Sequence, residues 1–456
     1  MISEKIYAIS LSKQEALLYI LEAFETRNVN YCILGNYNKS FFEENGDIDI
    51  VVSNEAVNKI LKIMYDVLLG TNIKIVQAIQ HEQTSWYIVV SWFDHKGNLN
   101  SLKLDFCGDY YRHNIKLIEY QKFLNNRIKH SVDKDKQIYV PDHSINFIYY
   151  LIKRIGKQNI EINHQFFLKT LYLADTNLAE KLLEQYFDVE IKHEIICCIE
   201  NDNWNVIKEK YEEIYSKIIK RKYKFSIYNK YRGIRRNLKR IFYPTGISIS
   251  FLGPDGCGKS TLISHIQKDL EPIFRKVSYT HFRPKVLGKS SDKEGKAVNN
   301  PHALKPRSNL ISYLKMVYFV FDYILGGIIK DKPSVVSSTL VIYDRYFHDI
   351  LVDPKRYRFG GEIRVIETLS KIIPEPNLIF VLYAPANILQ NRKREVSYNE
   401  SKRQVNEYMK LAKDIEANII DTNKGIQTTV GEVELSIINY LEDRIINRYK
   451  LKEEVK

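Results

Sequence analysis

A glycine-rich turn, set between an apolar run and a Lys-Ser-Thr sequence, constrains the fold of this 456-residue chain more than any other feature. The apolar residues 247–252 predict a β-strand, and the residues after the turn predict a helix. Glycines let the backbone approach a phosphate closely, and the N–H groups at a helix N-terminus favour negative charge. The pattern therefore predicts a phosphate-binding loop, whose nucleotide-binding residues are Gly253, Gly256, Gly258, Lys259, Ser260 and Thr261.

The side chains that close this loop predict two cofactors. We expect Lys259 to reach the β- and γ-phosphates of a nucleoside triphosphate, and the Ser260 hydroxyl to hold Mg²⁺. The alternative is a glycine-rich turn with a coincidental lysine. A strand before the turn and a helix after it disfavour that alternative, so a nucleoside triphosphate and Mg²⁺ are the predicted cofactors.

Length and composition predict a soluble protein of two or three domains. The five cysteines show no paired spacing, which favours a reducing cytosol. The N-terminus has no apolar signal region. The longest apolar run, near residues 316–329, is interpreted as too short to span a bilayer, and it contains Asp322. We therefore expect a cytoplasmic protein, with peripheral attachment at the inner face of the membrane left open.

Residues 1–120 predict an α+β domain with a carboxylate cluster. A helical pattern at 11–27 precedes short β-rich runs, and strand periodicity places Asp47 and Asp49 on one face of the second run. Asp105 lies on a later run. Three such carboxylates can hold hard divalent cations, which in two-metal sites support displacement at phosphorus. The simpler alternative is a solvated strand face beside a turn.

The order of helix, strand, loop and Asp-x-Asp strand resembles the nucleotidyltransferase fold over roughly residues 10–115. That resemblance implies that Asp47, Asp49 and Asp105 bind metal and that this domain transfers a nucleotidyl group. The family carries Gly-Ser after its first strand, where this chain has Gly35-Asn36.

The next two segments predict helices without catalytic chemistry. Residues 121–216 predict a helical connector. Residues 217–245 predict a basic linker helix. Residues 217–240 contain eleven Lys and Arg side chains and no acidic side chain, in a chain whose net charge is +13. Its apolar positions recur at three- and four-residue steps, so the helix is amphipathic: Ile227, Tyr231, Ile234, Leu238 and Ile241.

Three interpretations of the basic helix remain open. Its cations are solvated or face acids of a neighbouring domain, or they contact an anionic membrane surface, or they contact nucleic acid. No aromatic platform or binding motif accompanies the charge, which disfavours nucleic acid. We expect weak association with anionic membrane surfaces through residues 217–242.

From residue 246 to residue 456 the chain alternates strand and helix, which predicts an α/β fold with a parallel sheet covered on both faces. The loop Gly253-Pro-Asp-Gly-Cys-Gly-Lys-Ser-Thr261, with an acid at Asp255, resembles that of thymidylate kinases. Asp344-Arg345-Tyr346 resembles the Asp-Arg-Tyr that ends the third strand in that family. The order of these motifs implies a phosphate-loop kinase over residues 246 to about 445.

The resemblance implies phosphoryl transfer from ATP, with roles for several residues. Lys259 and Asp344 serve the donor side, and Asp344 holds metal-bound water. Arg345 binds the acceptor phosphate, and Asp255 accepts a hydrogen bond from an acceptor hydroxyl. Arg283 and Tyr346 are implied as further acceptor contacts. Arg392 and Arg394 are implied as the arginines of a lid that closes over ATP.

The acceptor is the point at which this chain departs from the family. A nucleoside monophosphate such as dTMP is implied, but Arg283-Pro284 matches the family's acceptor motif only in part. Residues 288–307 have no counterpart, and residues 353–361 predict an ordered binding loop. The fusion of the two domains resembles proteins encoded among bacterial surface-polysaccharide genes, which makes a sugar- or lipid-linked acceptor a rival. A protein that only switches its arrangement on ATP binding is a further alternative, and a homodimer is left open.

Overall fold

The structure, a computed structural model, describes residues 11–37, 46–132, 136–222, 227–288, 302 and 304–452. The chain forms two compact units. Unit 1 contains residues 1–238 and 441–456, and unit 2 contains residues 239–440. The last residues return to unit 1 because the final helix is long and its end carries Ile445 into the core of that unit. The finer division at residues 120, 216 and 245 stays a prediction.

Unit 1 is built on a mixed sheet. Among its described residues, five strands pair in the order β1-β2-β5-β4-β3. Strands β2 and β5 are parallel, and the other neighbours are antiparallel. The strands are β1 (Tyr31–Ile33), β2 (Ile48–Val52), β3 (Lys74–Glu82), β4 (Ser85–Phe93) and β5 (Leu99–Cys107). Two small hairpins come next along the chain, formed by β6 (Tyr110–Arg112) with β7 (Ile115–Ile118) and by β8 (Ile128–Ser131) with β9 (Gln137–Val140).

The helices of unit 1 share a single core with this sheet. The first begins after Ser12, which forms a reciprocal capping box with Glu15, and it buries Leu17 and Phe24. The helices are α1 (Lys13–Thr26), α2 (Asn54–Asn58), α3 (Ile60–Leu68), α4 (Tyr120–Leu124), α5 (His143–Gly156), α6 (Ile162–Ala174), α7 (Thr176–Tyr186), α8 (Val189–Glu200), α9 (Asn205–Glu209) and α10 (Tyr211–Lys222). Because Phe147, Leu183 and Ile214 belong to the same core as the sheet, the predicted connector is packed as part of unit 1.

The basic helix α11 spans Ile227–Phe242. On one side it is held by Gly233, which lies against Asn114, and by Arg236, which approaches Glu82 with an N–O distance of 3.4 Å. The apolar row that the sequence predicts is exposed at Tyr231, Ile234, Leu238 and Ile241.

Unit 2 is built on a parallel sheet, as the sequence predicts. Five strands of its described part pair in the order β11-β12-β10-β13-β14, all parallel. The six residues of β12 are all buried, which requires cover on both faces of the sheet. The strands are β10 (Ile247–Leu252), β11 (Lys276–His281), β12 (Thr339–Asp344), β13 (Leu378–Tyr383) and β14 (Asn418–Asp421).

The helices of unit 2 intervene between these strands. They are α12 (Lys259–Leu270), α13 (Asn309–Gly326), α14 (Lys332–Val336), α15 (Asp349–Val352), α16 (Ile363–Ser370), α17 (Ala386–Arg392), α18 (Tyr398–Asp414) and α19 (Ile426–Tyr449), the last of which ends in unit 1. A π-helical turn at Gly327–Asp331 joins α13 to α14.

That junction corrects one expectation. The apolar run of residues 316–329 lies within a continuous helical segment, Asn309–Val336, whose 28 residues are long and apolar enough to cross a membrane. The core helix of a soluble protein can pass the same test, and one face of α13 is buried at Met316, Phe319 and Tyr323. The interpretation of this run as too short to span a bilayer was therefore wrong. The length of the helix does not by itself exclude a membrane span.

Candidate active site

The glycine-rich loop lies where β10, the central strand of the parallel sheet, ends at Leu252. Gly253 has φ +143°, and a Cβ there would lie 2.7 Å from the Leu382 carbonyl oxygen. Gly258 begins α12 in the left-handed region, with φ +90°. Any other residue would be strained or would collide at Gly253, so the sequence needs glycine for this turn. The loop N–H groups and the start of α12 can receive a phosphate.

Lys259 occupies the interior of this loop. Its Nζ donates to the Gly253 carbonyl at 2.7 Å and to the Pro254 carbonyl at 2.9 Å, and the residue is buried. Ser260 and Thr261 are exposed at the first turn of α12. The same Nζ lies 3.6 Å from the Cys257 Sγ. An ammonium group whose partners are all neutral can exchange them for phosphate oxygens, which are stronger partners.

Asp344 ends β12 next to the loop, because its backbone pairs with Phe251 of β10. Tyr279 donates its hydroxyl to Asp344 Oδ2 at 3.0 Å, while Oδ1 is buried without a hydrogen-bond partner among the described residues. Burial and the neighbouring Asp344 carboxylate raise the pKa of Tyr279, so its hydroxyl keeps its proton. A buried carboxylate oxygen without a partner costs free energy unless it binds a donor or cation. This oxygen and the Ser260 hydroxyl are ligands that suit Mg²⁺.

Arg345 is fixed in place by its backbone and its side chain. It adopts a left-handed conformation with φ 72°, and its N–H donates to the Phe251 carbonyl at 2.9 Å. The guanidinium group binds both Asp255 and Asp349. Asp349 is fully buried and also accepts hydrogen bonds from the hydroxyls of Tyr357, at 2.8 Å, and Tyr408.

Asp255 joins the phosphate loop to a second arginine that the sequence did not identify. Its two carboxylate oxygens contact Arg345 and Arg356, and all three side chains are largely buried. Arg356 lies in the loop of residues 353–361, which the sequence predicted to be ordered. That loop is held by Tyr357, whose ring stacks on Phe282 at 4.6 Å and whose carbonyl accepts from Arg307 at 3.0 Å.

Four other residues predicted for the site lie in different surroundings. Arg283 is buried and paired with Asp322 at 2.7 Å, and the Tyr346 hydroxyl donates to the Pro374 carbonyl. Arg392, at the end of α17, donates to Thr422, with distances of 3.2 Å to its hydroxyl and 3.0 Å to its carbonyl. Arg394 is exposed. Their proposed acceptor and lid roles stay predictions.

The carboxylates of unit 1 come together on parallel neighbouring strands. Asp49 of β2 lies directly opposite Asp105 of β5, while Asp47 precedes β2 and accepts from the Tyr87 hydroxyl at 3.4 Å. Lys153, on α5, forms an ion pair with Asp49, a partner that sequence patterns do not reveal. Burial and the neighbouring Asp49 raise the pKa of Asp105 to about 7. A carboxyl group whose pKa is raised by burial and by a neighbouring carboxylate is typical of functional sites.

Comparison with known proteins leaves the family open. No family model matches the chain, and no curated protein matches it. A similar solved structure is the thymidylate kinase from Ehrlichia chaffeensis, which is 20% identical and has a TM-score of 0.30. The match covers 42% of this chain and 98% of that enzyme. A score this low carries no argument, so any assignment of function rests on the geometry of the site.

Proposed function

We propose that unit 2 transfers the γ-phosphoryl group of ATP to an acceptor. The observation that carries this proposal is that Lys259, inside the glycine loop, and Asp344, whose Oδ1 has no hydrogen-bond partner among the described residues, lie at the same edge of the sheet. Ligands of open parallel sheets bind at this edge, outside the carboxyl ends of the strands.

In this proposal the protein positions groups and neutralises charge, as phosphoryl transfer requires. The loop N–H groups hold the β-phosphate, and Lys259 leaves the Gly253 and Pro254 carbonyls to contact the β- and γ-phosphates. Asp344 and Ser260 would hold Mg²⁺, which neutralises phosphate charge when it is bound. Arg345, placed beside the loop by Asp255 and Asp349, faces the acceptor.

The acceptor that we propose is a nucleoside monophosphate such as dTMP, with a sugar- or lipid-linked acceptor as the rival. Arg345 supports an anionic acceptor, because a guanidinium group pairs well with phosphate. The position of Arg283 supports the sugar- or lipid-linked acceptor. Arg283 is paired with Asp322, which also accepts hydrogen bonds from the backbone N–H groups of residues 285–287. A guanidinium committed to that turn is a poor candidate for the dTMP phosphate.

An ADP-release assay with ATP and Mg²⁺ tests this function. The assay is run without acceptor, with dTMP and the other nucleoside monophosphates, and with sugars and glycolipid extracts. Activity with dTMP would support a nucleoside monophosphate acceptor. Activity only with a sugar or glycolipid would support the kinase function with a sugar- or lipid-linked acceptor instead. Tight ATP binding without transfer to any acceptor would favour an ATP-switched binding protein instead.

We also propose nucleotidyl transfer by unit 1, because Asp49 and Asp105 lie opposite each other and the pKa of Asp105 is raised. Asp47, Asp49 and Asp105 would hold divalent cations there. Labelled nucleoside triphosphates with Mg²⁺ or Mn²⁺ should release pyrophosphate, and Asp49→Asn should abolish the release. Asp66→Asn, at a surface acid of the same unit, is the matched control. Equal release by Asp49→Asn and the parent would exclude this role.

A further inference from the structure

Two segments that depart from the thymidylate kinase pattern meet at one cluster of side chains in unit 2. His302 belongs to the segment of residues 288–307, and Asp353 begins the loop of residues 353–361. Glu400 lies in the first turn of α18. Each of these three residues offers one ligand atom, and the three atoms all lie within 4.8 Å of one another. None of the contacts proposed for ATP or its acceptor uses these three side chains.

The chemistry of the cluster indicates which kind of ion it can hold. An imidazole nitrogen with two carboxylate oxygens suits Zn²⁺, whereas Mg²⁺ and Ca²⁺ favour sites made of oxygen alone. His302 Nε2 lies 2.8 Å from Asp353 Oδ1. Bonds of about 2.0–2.2 Å to one tetrahedral Zn²⁺ place neighbouring ligand atoms roughly 3.3 Å apart. A small opening of the His302–Asp353 contact and a small approach of Glu400 would therefore accommodate the ion.

A buried amide group holds both carboxylates in place. Gln404 Nε2 donates to Asp353 Oδ2 and to Glu400 Oε1, each at 3.2 Å, and both Gln404 and Asp353 are buried. Hydrogen-bonding groups that orient the ligands in this way are usual around metal ions in proteins. Burial also raises the pKa of Asp353, and a cation beside the carboxylate would offset this cost of ionisation.

Two arginines approach these carboxylates without occupying all of their acceptor positions. Arg403 donates to Glu400 Oε1 at 2.6 Å and to Oε2 at 2.9 Å, and Arg356 Nε lies 3.5 Å from Asp353 Oδ2. The two oxygens of a carboxylate offer about four acceptor positions. Each carboxylate can therefore bind a metal ion and keep its arginine.

The charge around the cluster favours a cation. Arg356 is shared with Asp255 of the phosphate loop, so three carboxylates meet two arginines at this point. The cluster is therefore negative when His302 is neutral, and the neutral imidazole is the form that binds a metal ion.

We propose that His302, Asp353 and Glu400 bind one Zn²⁺ ion. The ion takes the place of the proton between His302 and Asp353, and a water molecule completes a set of four ligands. Bound Zn²⁺ would tie residue 302 to the loop that carries Arg356. The proposal does not rest on phosphoryl transfer, because metal binding is measured without ATP.

Zinc titration of the full chain tests this proposal. The protein is stripped with a chelator and returned to millimolar Mg²⁺, which fills the oxygen sites proposed at Asp344 and in unit 1. It is then titrated with Zn²⁺ in competition with a chromophoric chelator. The parent should bind one Zn²⁺ ion with a dissociation constant of about 1 µM or less. His302→Ala and Glu400→Gln should each raise this constant at least about 100-fold, because each removes a ligand.

Two histidine variants are the matched controls, and both should bind zinc as the parent does. His265→Ala removes an exposed histidine of α12 in the same unit. His193→Ala removes a histidine of unit 1 whose Nε2 lies 3.6 Å from Cys197 Sγ, a pair that offers the nitrogen and sulfur ligands that zinc prefers. Thermal unfolding of every variant is measured without metal. Glu400→Gln keeps the shape of the side chain, so it serves as the test if His302→Ala does not fold.

Three results would overturn the proposal. The first is a parent that binds no zinc at about 100 times the expected dissociation constant, which would leave His302 and Asp353 as an ion pair without metal. The second is parental zinc affinity in Glu400→Gln or in a folded His302→Ala. The third is loss of zinc binding in His193→Ala, which would assign the ion to the pair with Cys197.

Discussion

Both candidate sites combine a largely buried lysine with a carboxylate that a parallel strand carries, but the two lysines are held in different ways. In unit 2, Lys259 donates to two neutral carbonyls, and the nearby Asp344 keeps one oxygen without a partner among the described residues. In unit 1, Lys153 is paired directly with Asp49. Burial lowers the pKa of Lys153, but Asp49 outweighs burial, so the pKa is raised and the ion pair persists.

This difference separates a site that is ready for phosphate from one that must first be rearranged. Moving Lys259 exposes two carbonyls, each of which is expected to cost about 1 kcal/mol. Removing Lys153 from its largely buried pair leaves Asp49 beside Asp105, and breaking a buried pair costs about 3–5 kcal/mol unless a cation takes its place. We therefore expect unit 2 to bind nucleotide readily, and unit 1 to depend on divalent cations.

The largest expected effect is that of Lys259→Ala. Phosphoryl transfer should fall at least about 1000-fold in kcat/KM, because the charge that meets the β- and γ-phosphates is lost, while the fold is kept. The measurement is ADP release with ATP and Mg²⁺ in the absence of acceptor and with the best acceptor. Lys268→Ala, an exposed lysine on the same helix, should retain parental activity. Comparable losses in both variants would contradict the role of the loop.

The second prediction distinguishes the roles of the two arginines that contact Asp255. Arg345→Gln should lower the free energy of unfolding by about 3–5 kcal/mol, because it leaves the buried Asp349 without its cation. Arg356→Gln, whose guanidinium is nearer to solvent, should unfold at nearly the parental temperature but raise the acceptor KM by about 10-fold. The measurements are thermal unfolding and acceptor titrations, with Arg358→Gln as the control from the same loop. An unchanged acceptor KM in Arg356→Gln would show that this arginine only supports the loop.

The third prediction concerns the pH dependence of unit 1. The folded pKa of Asp105 is about 7, above its ordinary value of 3.8, so the folded state retains a proton that the unfolded state loses. The free energy of unfolding should therefore fall as pH rises from about 4 to about 7. Asp105→Asn should remove this loss and be more stable than the parent at pH 8 by about 1–2 kcal/mol, a value reduced for partial exposure.

Chemical denaturation of the parent and of Asp105→Asn at pH 5 and pH 8 measures this difference. Asp66→Asn serves as the control, since Asp66 lies at the surface of the same unit. Identical pH dependence in the parent and in Asp105→Asn would mean that the ionisation of Asp105 does not affect the free energy of unfolding. The contrast between the two units would then not hold.

The smallest expected effect is at the basic helix α11. Its exposed apolar row, flanked by Arg235 and Lys239, should give weak binding to anionic vesicles at low salt, since each cation contributes at most about 1 kcal/mol. Co-sedimentation at rising salt should show binding that falls severalfold at physiological ionic strength. The triple change of Arg235, Lys239 and Arg240 to Gln should weaken it further. The control changes Lys402, Lys410 and Lys413 of α18 to Gln.

Absence of binding at low ionic strength would exclude the membrane role. Equal binding by the two triple variants would show that net charge, and not the helix, attracts the vesicles. Either result would leave α11 as a linker and would not affect the contrast between the two lysines.

Local patterns were sufficient for much of unit 2. Strand β10 spans the predicted residues 247–252, because an apolar run that ends in a turn specifies a buried strand. The loop from Gly253 to Lys259 could be predicted because its glycines indicate backbone conformations that other residues rarely adopt. Asp49 and Asp105 lie opposite each other on paired strands, and their predicted role as metal ligands stays a prediction.

Partners that are distant in sequence could not be predicted in this way. Lys153 meets Asp49 across 104 residues, and Arg345 meets Asp255 across 90 residues. Which cation reaches which acid depends on how helices pack, and a single sequence does not record it. Arg283 illustrates the same limit, because its burial against Asp322 depends on where α13 lies.

The most direct test of the central claim tracks both phosphates of one nucleotide. ATP labelled at the γ-position and ATP labelled at the α-position are incubated with the parent, Lys259→Ala and Asp49→Asn, with Mg²⁺, in the presence of dTMP and of glycolipid extracts. The account predicts that Lys259→Ala loses γ-label transfer while Asp49→Asn retains it, and that any α-label transfer is lost only in Asp49→Asn. Transfer of γ-label by Lys259→Ala at the parental rate would contradict the assignment of phosphoryl transfer to unit 2.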